Sequence, residues 1–294
     1  ERILADPKNE NSLNSSDLTC IYLDNSNILW VGTNVEGVNV YDPKKTRFKT
    51  YKNNPYVPSS LSPNPITSIL VDSKGRKWFG TDQGGLDLFL GEQKGFKHYD
   101  KSGDDQSALS SNAILALKEL PNGNIIMGTW GGGVNILDPE TDQVKHYMTD
   151  PENPNSILAN NVFDILVDEQ DNVYLTQWDA GIASFDYKSK TFKPVPDNSQ
   201  LPSFLTSMVK ASNGELWLTG INAGIWIYNP RTGSANTIGY FTDDSIATSI
   251  KQGKYLYTSN DGYILLGSGR GLSKIDPNTK QTISHYTKSE GLPS

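Results

Sequence analysis

Short stretches of alternating apolar and polar residues recur along the chain, separated by turns rich in Gly, Asp, Asn and Pro. The segment ITSILVD (66–72) alternates as expected for a strand that has one buried and one exposed face. The following SKG (73–75) predicts a tight turn, because glycine readily adopts positive φ. Three more strand-like segments follow: KWFGT (77–81), LDLFL (86–90) and FKHYD (96–100). We therefore expect these four segments to form one antiparallel sheet.

This four-strand pattern occurs six times in the chain. The residues that mark each second strand are Trp30, Trp78, Met127, Tyr174, Trp217 and Leu265, which lie 43 to 49 residues apart. A period in the forties, built from short strands and turns, is typical of β-propeller blades. The sequence therefore predicts an all-β fold, a β-propeller of four-stranded antiparallel blades. The six complete repeats make either a six-bladed ring or part of a seven-bladed ring.

We expect the 294 residues to form a single β-propeller domain. The predicted blades cover residues 18–52, 65–100, 113–149, 162–197, 204–242 and 246–288. Residues 1–17 are predicted to be the end of a preceding blade or a closing strand, followed by a loop, and residues 290–294 to lead into another blade. The segment AILALKEL (113–120) would pass for a helix in isolation, but its place in the repeat predicts a first strand.

Composition narrows the classes of function. A net charge of −7 without a basic cluster argues against nucleic-acid binding, because phosphate contacts need grouped Lys and Arg. No apolar stretch approaches the length of a transmembrane helix, so direct membrane insertion by this segment is not expected. The single cysteine, Cys20, cannot form an internal disulfide and leaves the redox compartment open.

The recurring phrase W-x-G-T-x-x-G-G-L-x-x-F-D-P, with an S-L-S-x-N lead-in such as residues 107–112, resembles the two-component-regulator propeller repeat. The chain departs from it at Thr176 and Thr219, which replace the motif glycine, and at Leu265, which replaces tryptophan. The resemblance implies a periplasmic, non-catalytic sensor domain of a hybrid two-component system. In that family the propellers precede a β-sandwich, a membrane helix and a histidine kinase, and no kinase segment is present in this chain.

The three histidines do not predict a catalytic or metal site. His98, His146 and His285 each precede a tyrosine in a predicted fourth strand, which forms the outer rim of a propeller blade. We therefore expect these side chains to point outward into solvent and not to converge on a ligand. No cofactor and no metal are expected.

Corners between second and third strands, and the interblade loops, are expected on one face around the central channel, where propellers usually bind ligands. The corners are also where the repeats differ most, as expected of a site grafted on a repeated scaffold. The candidate ligand-binding residues are Trp130, Trp178, Asp179, Gln177, Asp82, Gln83, Asn34, Glu36, Asn222 and Arg270.

Trp130 and Trp178 occupy corresponding corners in successive repeats, where the repeat itself requires no indole. Aromatic faces beside Asp, Asn and Gln suit sugar rings, but the same indoles could instead pack over the channel mouth. Both interpretations stay open at this stage. Trp226, in a third strand, is expected to be a packing residue.

The leading hypothesis is a sensor that binds an oligosaccharide or other small ligand and signals to a histidine kinase, with a homodimer as an open alternative. Two other functions remain open, a propeller that binds only proteins and a propeller lyase or hydrolase. The outward histidines predicted above count against the enzyme.

Overall fold

The structure, a computed structural model, describes residues 5, 12–42, 47–63, 65–102, 108–238, 253–287 and 289. Several predictions from the sequence lie outside these residues: the strand end at 1–4, the lead-in at 290–294, the boundaries at 242 and 246, and position 107 of the S-L-S-x-N motif. No helix in the described part of the chain is long and apolar enough to cross a membrane.

The chain contacts separate two compact units, residues 1–147 and 148–294. Unit 1 contains three blades, and in each of them consecutive strands pair in an antiparallel sheet. Blade 1 consists of β1 (Leu18–Leu23), β2 (Leu29–Thr33), β3 (Val38–Asp42) and β4 (Arg47–Tyr51). Blade 2 consists of β5 (Ile66–Val71), β6 (Lys77–Thr81), β7 (Leu86–Phe89) and β8 (Phe96–Tyr99). Blade 3 consists of β9 (Ile114–Glu119), β10 (Ile125–Thr129), β11 (Val134–Asp138) and β12 (Gln143–Tyr147).

Unit 2 also contains three blades of the same topology. Blade 4 consists of β13 (Val162–Val167), β14 (Val173–Gln177), β15 (Gly181–Asp186) and β16 (Thr191–Pro194). A 3₁₀ turn at Asn198–Gln200 follows it. Blade 5 consists of β17 (Leu205–Lys210), β18 (Leu216–Gly220), β19 (Gly224–Asn229) and β20 (Ser234–Thr237). Blade 6 consists of β21 (Gly253–Thr258), β22 (Ile264–Ser268), β23 (Gly271–Ile275) and β24 (Thr282–Tyr286).

The predicted fold class is confirmed: the protein is an all-β β-propeller protein with six four-stranded antiparallel blades. The segment 113–120 forms a first strand and not a helix, as the repeat predicts. Organisation of the six blades into a single domain stays a prediction, because the contacts define two units.

The apolar core lies between successive blades. In unit 1, Trp30 and Val38 of blade 1 pack with Ile66 and Phe79 of blade 2. The leucine of the S-L-S lead-in belongs to the same core, since Leu61 is 1% exposed. The lead-in motif therefore inserts an apolar side chain between blades. Burial of one such side chain contributes roughly 1.5–3 kcal/mol.

The turn between first and second strands is held by an aspartate that also binds the second-strand tryptophan. In blade 2, Asp72 Oδ1 accepts the backbone N–H groups of Lys74 and Arg76, and Oδ2 accepts Nε1–H of Trp78 at 2.9 Å. Asp24 and Trp30 repeat the indole contact in blade 1, at 3.1 Å. Burial alone would raise the pKa of Asp72, but the hydrogen bonds from Trp78 and Arg76 lower it below its usual range.

Every first strand has an irregularity at its second residue, where the pairing with the second strand shifts. The residues at this bulge are Thr19, Thr67, Leu115, Phe163, Thr206 and Lys254. A bulge changes the direction of a side chain relative to its neighbours in the strand. The side chains at these six positions therefore do not follow the regular alternation between the two faces of the strand.

Candidate ligand-binding site at the blade corners

The motif G-T-x-x-G-G builds the corner between second and third strands. In blade 2, Thr81 donates to the carbonyl of Gly85 through its backbone N–H at 3.0 Å and through its hydroxyl at 2.9 Å. Gly85 has φ 83°, and a Cβ at this residue would lie 2.2 Å from the carbonyl oxygen of Tyr99. Glycine is therefore required there, and the corner residues Asp82 and Gln83 are left to vary.

Each corner meets the loop that precedes the first strand of its own blade. The N–H of Asp82 donates to Pro65, that of Trp130 to Ala113, and that of Trp178 to Asn161, all at 3.0 Å. The corner of blade 2 also binds the next interblade loop, because Gly85 donates to the carbonyl of Asn112 at 2.9 Å. Within each unit, corners and interblade loops thus lie at the same end of the blades, as predicted.

A cavity of about 490 Å³ lies at this end of blades 2 and 3 in unit 1. Its lining residues are Thr67, Asp82, Gln83, Ser111, Asn112, Ala113, Leu115 and Trp130. Three of the candidates chosen from the sequence, Asp82, Gln83 and Trp130, are therefore brought together by the fold. The lining also includes both bulge residues of these blades, Thr67 and Leu115.

Trp130 offers the cavity an aromatic surface. Trp130 is 48% exposed, whereas tryptophan is highly buried on average. Its backbone is held on both sides, since the N–H donates to Ala113 and the carbonyl accepts Ser111 Oγ–H at 2.8 Å. The aromatic surface is therefore supported by a fixed backbone.

Besides the hydroxyls of Thr67 and Ser111, the polar side chains of the cavity are Asp82, Gln83 and Asn112. Asn112 uses Oδ1 to accept the backbone N–H of Lys101 at 2.6 Å, which orients its amide. Asp82 is half-buried and is the only charged residue among the described residues of the lining. A carboxylate and two amides beside an aromatic face can bind a polar molecule that has one apolar side.

The candidates in blade 1 are engaged by their own surroundings. Asn34 donates through Nδ2 to Asp17 Oδ2 at 2.9 Å. Glu36 forms an ion pair with Lys52 at 3.0 Å. Neither residue lines the cavity of unit 1.

The candidates in unit 2 have different environments. Trp178 lies between Phe163, at a ring-centroid distance of 5.4 Å, and Phe204, at 4.4 Å. Gln177 is fully buried and donates through Nε2 to the carbonyl of Ala159 at 2.8 Å, so its side chain is not accessible to a ligand in this structure. Trp226 is confirmed as a packing residue of this unit.

Asp179, Asn222 and Arg270 are exposed at the corners of blades 4, 5 and 6. Asp179 has φ 64° and Asn222 has φ 55°. Aspartate and asparagine are the residues other than glycine that most readily adopt this left-handed conformation. The backbone of the corner is thus sufficient to explain both residue types. Ligand binding by these three residues stays a prediction.

The conformation of Gln83 was not anticipated from the sequence. Its φ is 81°, at the same corner position as Asp179 and Asn222. Unlike them, glutamine gains nothing locally from the left-handed region, so the cost of this conformation is not explained by the turn. Comparison of the corner positions across the repeats would have drawn attention to it, since blades 3, 4 and 5 carry Gly131, Asp179 and Asn222 there.

A second feature that sequence reasoning missed is a polar residue buried in the third strand. Asp87 accepts the backbone N–H of Ser62 at 2.7 Å and its hydroxyl at 2.7 Å. In blade 3, Asn135 accepts the N–H of Ser110 at 2.9 Å. This residue ties the S-L-S lead-in to the blade. The V-N or L-D pair at the start of the third strands of blades 1 to 3 was the available signal.

The prediction that the histidines point into solvent is wrong for His98 and His285, whereas His146 is exposed, with Nε2 2.7 Å from the carbonyl oxygen of Ala108. Nδ1 of His98 lies 2.6 Å from Oδ1 of Asp87, and Nε2 lies 2.9 Å from the carbonyl oxygen of Pro58. His285 is half-buried, with Nδ1 2.9 Å from Ser273 Oγ. The third-strand polar residue draws these rings inward, away from the solvent that the rim position suggested.

Ser62, Asp87 and His98 are the residue types of a catalytic triad, but their arrangement is different. Ser62 Oγ and Asp87 both contact Nδ1 of the ring, whereas a triad places them on opposite nitrogens. The second ring nitrogen contacts the Pro58 carbonyl. The cluster therefore fixes a loop. Across the described residues, no group of three or more His, Cys, Asp or Glu side chains is placed to hold a metal ion.

Comparison with known proteins supports the resemblance seen in the motif. The sequence model of the two-component regulator propeller family matches residues 12–35 and 60–83. A comparison with curated proteins gives no match.

Similar solved structures include extracellular domains of two proteins from B. thetaiotaomicron assigned to hybrid two-component systems. BT3049 is 18% identical with a TM-score of 0.73, over 94% of this chain and 35% of that one. BT4673 is 20% identical with a TM-score of 0.63, over 95% of this chain and 44% of that one. This chain therefore spans less than half the length of either.

A catalytically inactive virginiamycin B lyase from Staphylococcus aureus, with quinupristin, is also similar. It is 14% identical with a TM-score of 0.68, over 94% of this chain and 86% of that one. At such identities the solved structures establish the fold alone. Together with the motif and the family match, they lead to one conclusion: the chain folds as β-propeller blades, and its segments 12–35 and 60–83 match the two-component regulator propeller model.

Proposed function

We propose that this chain is the ligand-sensing part of an extracytoplasmic sensor and that it binds an oligosaccharide in the cavity of unit 1. The observation that carries the proposal is the exposed face of Trp130 beside Asp82, Gln83 and Asn112 in a cavity of about 490 Å³. Sugar rings have C–H faces that pack on aromatic rings and hydroxyls that bind carboxylates and amides. The volume lies within the usual range of ligand pockets.

The repeat family and the similar extracellular domains support a role in signalling. On this proposal the segment is periplasmic and passes the binding event to a histidine kinase of the same system. Among the described residues of the cavity lining, Asp82 is the single titratable side chain and there is no histidine. Because general acid–base chemistry uses positioned proton donors and acceptors, we propose binding without catalysis in preference to a lyase or hydrolase.

A thermal-shift screen of the purified chain against plant, algal and host oligosaccharides tests the proposal. We expect a selective rise in melting temperature that Trp130→Ala removes, with a loss of roughly 1–3 kcal/mol of binding free energy, as for aromatic anchors elsewhere. Ile221→Ala is the matched control, because Ile221 is the corresponding corner residue of blade 5 and is 54% exposed. A screen without any shift would contradict the proposal, as would binding that survives in Trp130→Ala.

A further inference from the structure

The charge and the backbone conformation of the cavity indicate which sugars it accepts. We propose that the cavity of unit 1 selects sugars that lack acidic groups, either neutral or amine-bearing, and that Gln83 is held in a left-handed conformation in order to contact them. This inference rests on the proposed function and specifies its ligand.

The charge of the lining disfavours acidic sugars. Asp82 is a carboxylate, and the lining residues that the structure describes include no Lys, Arg or His that would pair with a sulfate or a uronate. Lys101 approaches through its backbone, whose N–H donates to Asn112, and it is not a lining residue. Like charges at contact distance repel, and the repulsion grows as a ligand displaces water from the cavity. The net charge of −7 on the chain also repels acidic sugars, at longer range.

The hydrogen-bonding groups that remain for a ligand fit hydroxyls and amines. The hydroxyls of Thr67 and Ser111 are already used, since they donate to the carbonyls of Gly80 at 3.0 Å and Trp130 at 2.8 Å. The Asp82 carboxylate accepts no side-chain hydrogen bond within the described part of the chain, so its oxygens can accept from a ligand. A carboxylate accepts from O–H or N–H donors, and the Gln83 amide both donates and accepts.

Trp130 is compatible with both kinds of ligand. Its half-exposed ring can pack against the C–H face of a neutral sugar. The face of an indole also attracts a cationic amine through its quadrupole, and repels an anion for the same reason. The aromatic surface and the Asp82 carboxylate therefore both favour a positively charged ligand over a negatively charged one.

The backbone of Gln83 is the independent observation. Four corners place a residue in the left-handed region at this position, namely Gln83 (φ 81°), Gly131 (φ 76°), Asp179 (φ 64°) and Asn222 (φ 55°). Three of these residue types suit that conformation, whereas glutamine is disfavoured there. The left-handed backbone belongs to the corner, whereas the choice of glutamine in place of Gly, Asp or Asn puts a longer amide side chain on the lining of the cavity.

The test combines binding with stability in matched variants. Gln83→Gly relieves the backbone and should raise the melting temperature by about 2 °C, whereas the control Asn222→Gly at the same position of blade 5 should not raise it, because asparagine already suits this conformation. We expect Gln83→Gly alone to weaken oligosaccharide binding, by roughly 3- to 10-fold for a lost side-chain hydrogen-bonding partner. A gain in stability with unchanged binding would overturn the role of Gln83.

An array that carries neutral, amine-bearing, uronate-containing and sulfated oligosaccharides tests the selection by charge. We expect binding of neutral and amine-bearing oligosaccharides only. Asp82→Asn should weaken the binding of amine-bearing oligosaccharides about tenfold more than that of neutral ones, because one ion pair is lost. Binding of sulfated or uronate sugars that Trp130→Ala abolishes would overturn this inference while the proposed sensor function stands. Absence of binding in all four classes would instead overturn the proposed function itself.

Discussion

The corners of blades 3 and 4 carry tryptophan at the same position of the repeat, yet the two indoles have different environments. Trp130 is 48% exposed and lines a cavity in unit 1. Trp178 packs between Phe163 and Phe204 in unit 2. The residue at the first-strand bulge differs accordingly, Leu115 in blade 3 and Phe163 in blade 4. The same position of the repeat thus lines a cavity in unit 1 and belongs to an aromatic cluster in unit 2.

The two units also differ in how they pair buried polar groups. In unit 1 the turn residue Asp72 accepts the indole N–H of Trp78. In unit 2 the corresponding turn residue is Ala211, and Nε1–H of Trp217 has no acceptor among the described residues. Other described buried side-chain atoms without a partner are those of Thr176, Gln177 and Thr282 in unit 2 and Ser68 in unit 1. Blade 2 of unit 1 therefore keeps an indole contact of the repeat motif that blade 5 of unit 2 lacks.

The largest expected effect separates the two corner tryptophans. Trp178→Ala should reduce the free energy of unfolding by roughly 2–4 kcal/mol, because it removes a ring that contacts two phenylalanines. Trp130→Ala should reduce it by less than about 1 kcal/mol, because the indole is already half exposed. Urea unfolding of both variants measures the difference. Equal losses would show that Trp130 is also a packing residue and would contradict the comparison.

Much of the fold could be predicted from the sequence because each blade repeats the same local pattern. The alternation of apolar and polar residues predicts the strands, and Gly and Asp predict the turns. The position of segment 113–120 in the repeat correctly predicts strand β9 where the segment alone resembles a helix. The division into two units was not predicted. It depends on the sum of contacts between blades, and a repeated sequence contains no local signal for that sum.

Less of the candidate site could be predicted. The position of the corners followed from strand order, and Asp82, Gln83 and Trp130 do share a cavity. The sequence could not distinguish Trp130 from Trp178, because the difference comes from Phe163 and Phe204, which contact the indole across strands. The inward histidines were missed for a similar reason. Their partners lie in the neighbouring strand and in the lead-in loop.

The second effect tests whether the hydrogen bond of the indole N–H stabilises the two core tryptophans differently. Trp78 and Trp217 are both 0% exposed, so Phe at either position leaves a similar void. Trp78→Phe also removes the hydrogen bond to Asp72, whereas Trp217→Phe removes an N–H without a described partner. We therefore expect Trp78→Phe to cost about 1–2 kcal/mol more free energy of unfolding than Trp217→Phe. Equal costs in urea unfolding would contradict the proposed difference between the units.

The smallest effect concerns the loop contact of His98 in unit 1. The hydrogen bond to Asp87 raises the pKa of His98 above its ordinary value, against the opposing effect of burial. Both ring nitrogens face acceptors, Asp87 and the Pro58 carbonyl, so the protonated ring satisfies both contacts. Because the pKa is higher in the folded state, protonation stabilises the fold fully below the unfolded pKa of about 6.5. That stabilisation is lost as the pH rises through the folded pKa.

The variant Asp87→Asn removes the negative charge that makes stability depend on the protonation of His98. An asparagine opposite a histidine already occurs in blade 3, where Asn135 of β11 pairs with His146 of β12. We expect the wild-type chain to lose on the order of 1 kcal/mol of unfolding free energy as the pH rises from 6 to about 8.5, the order of a hydrogen bond to a charged group. In Asp87→Asn that part of the slope should disappear. Urea unfolding at a series of pH values measures both slopes. An unchanged slope would mean that the Asp87–His98 contact fixes the loop without storing pH-dependent stability, as an uncharged pair would.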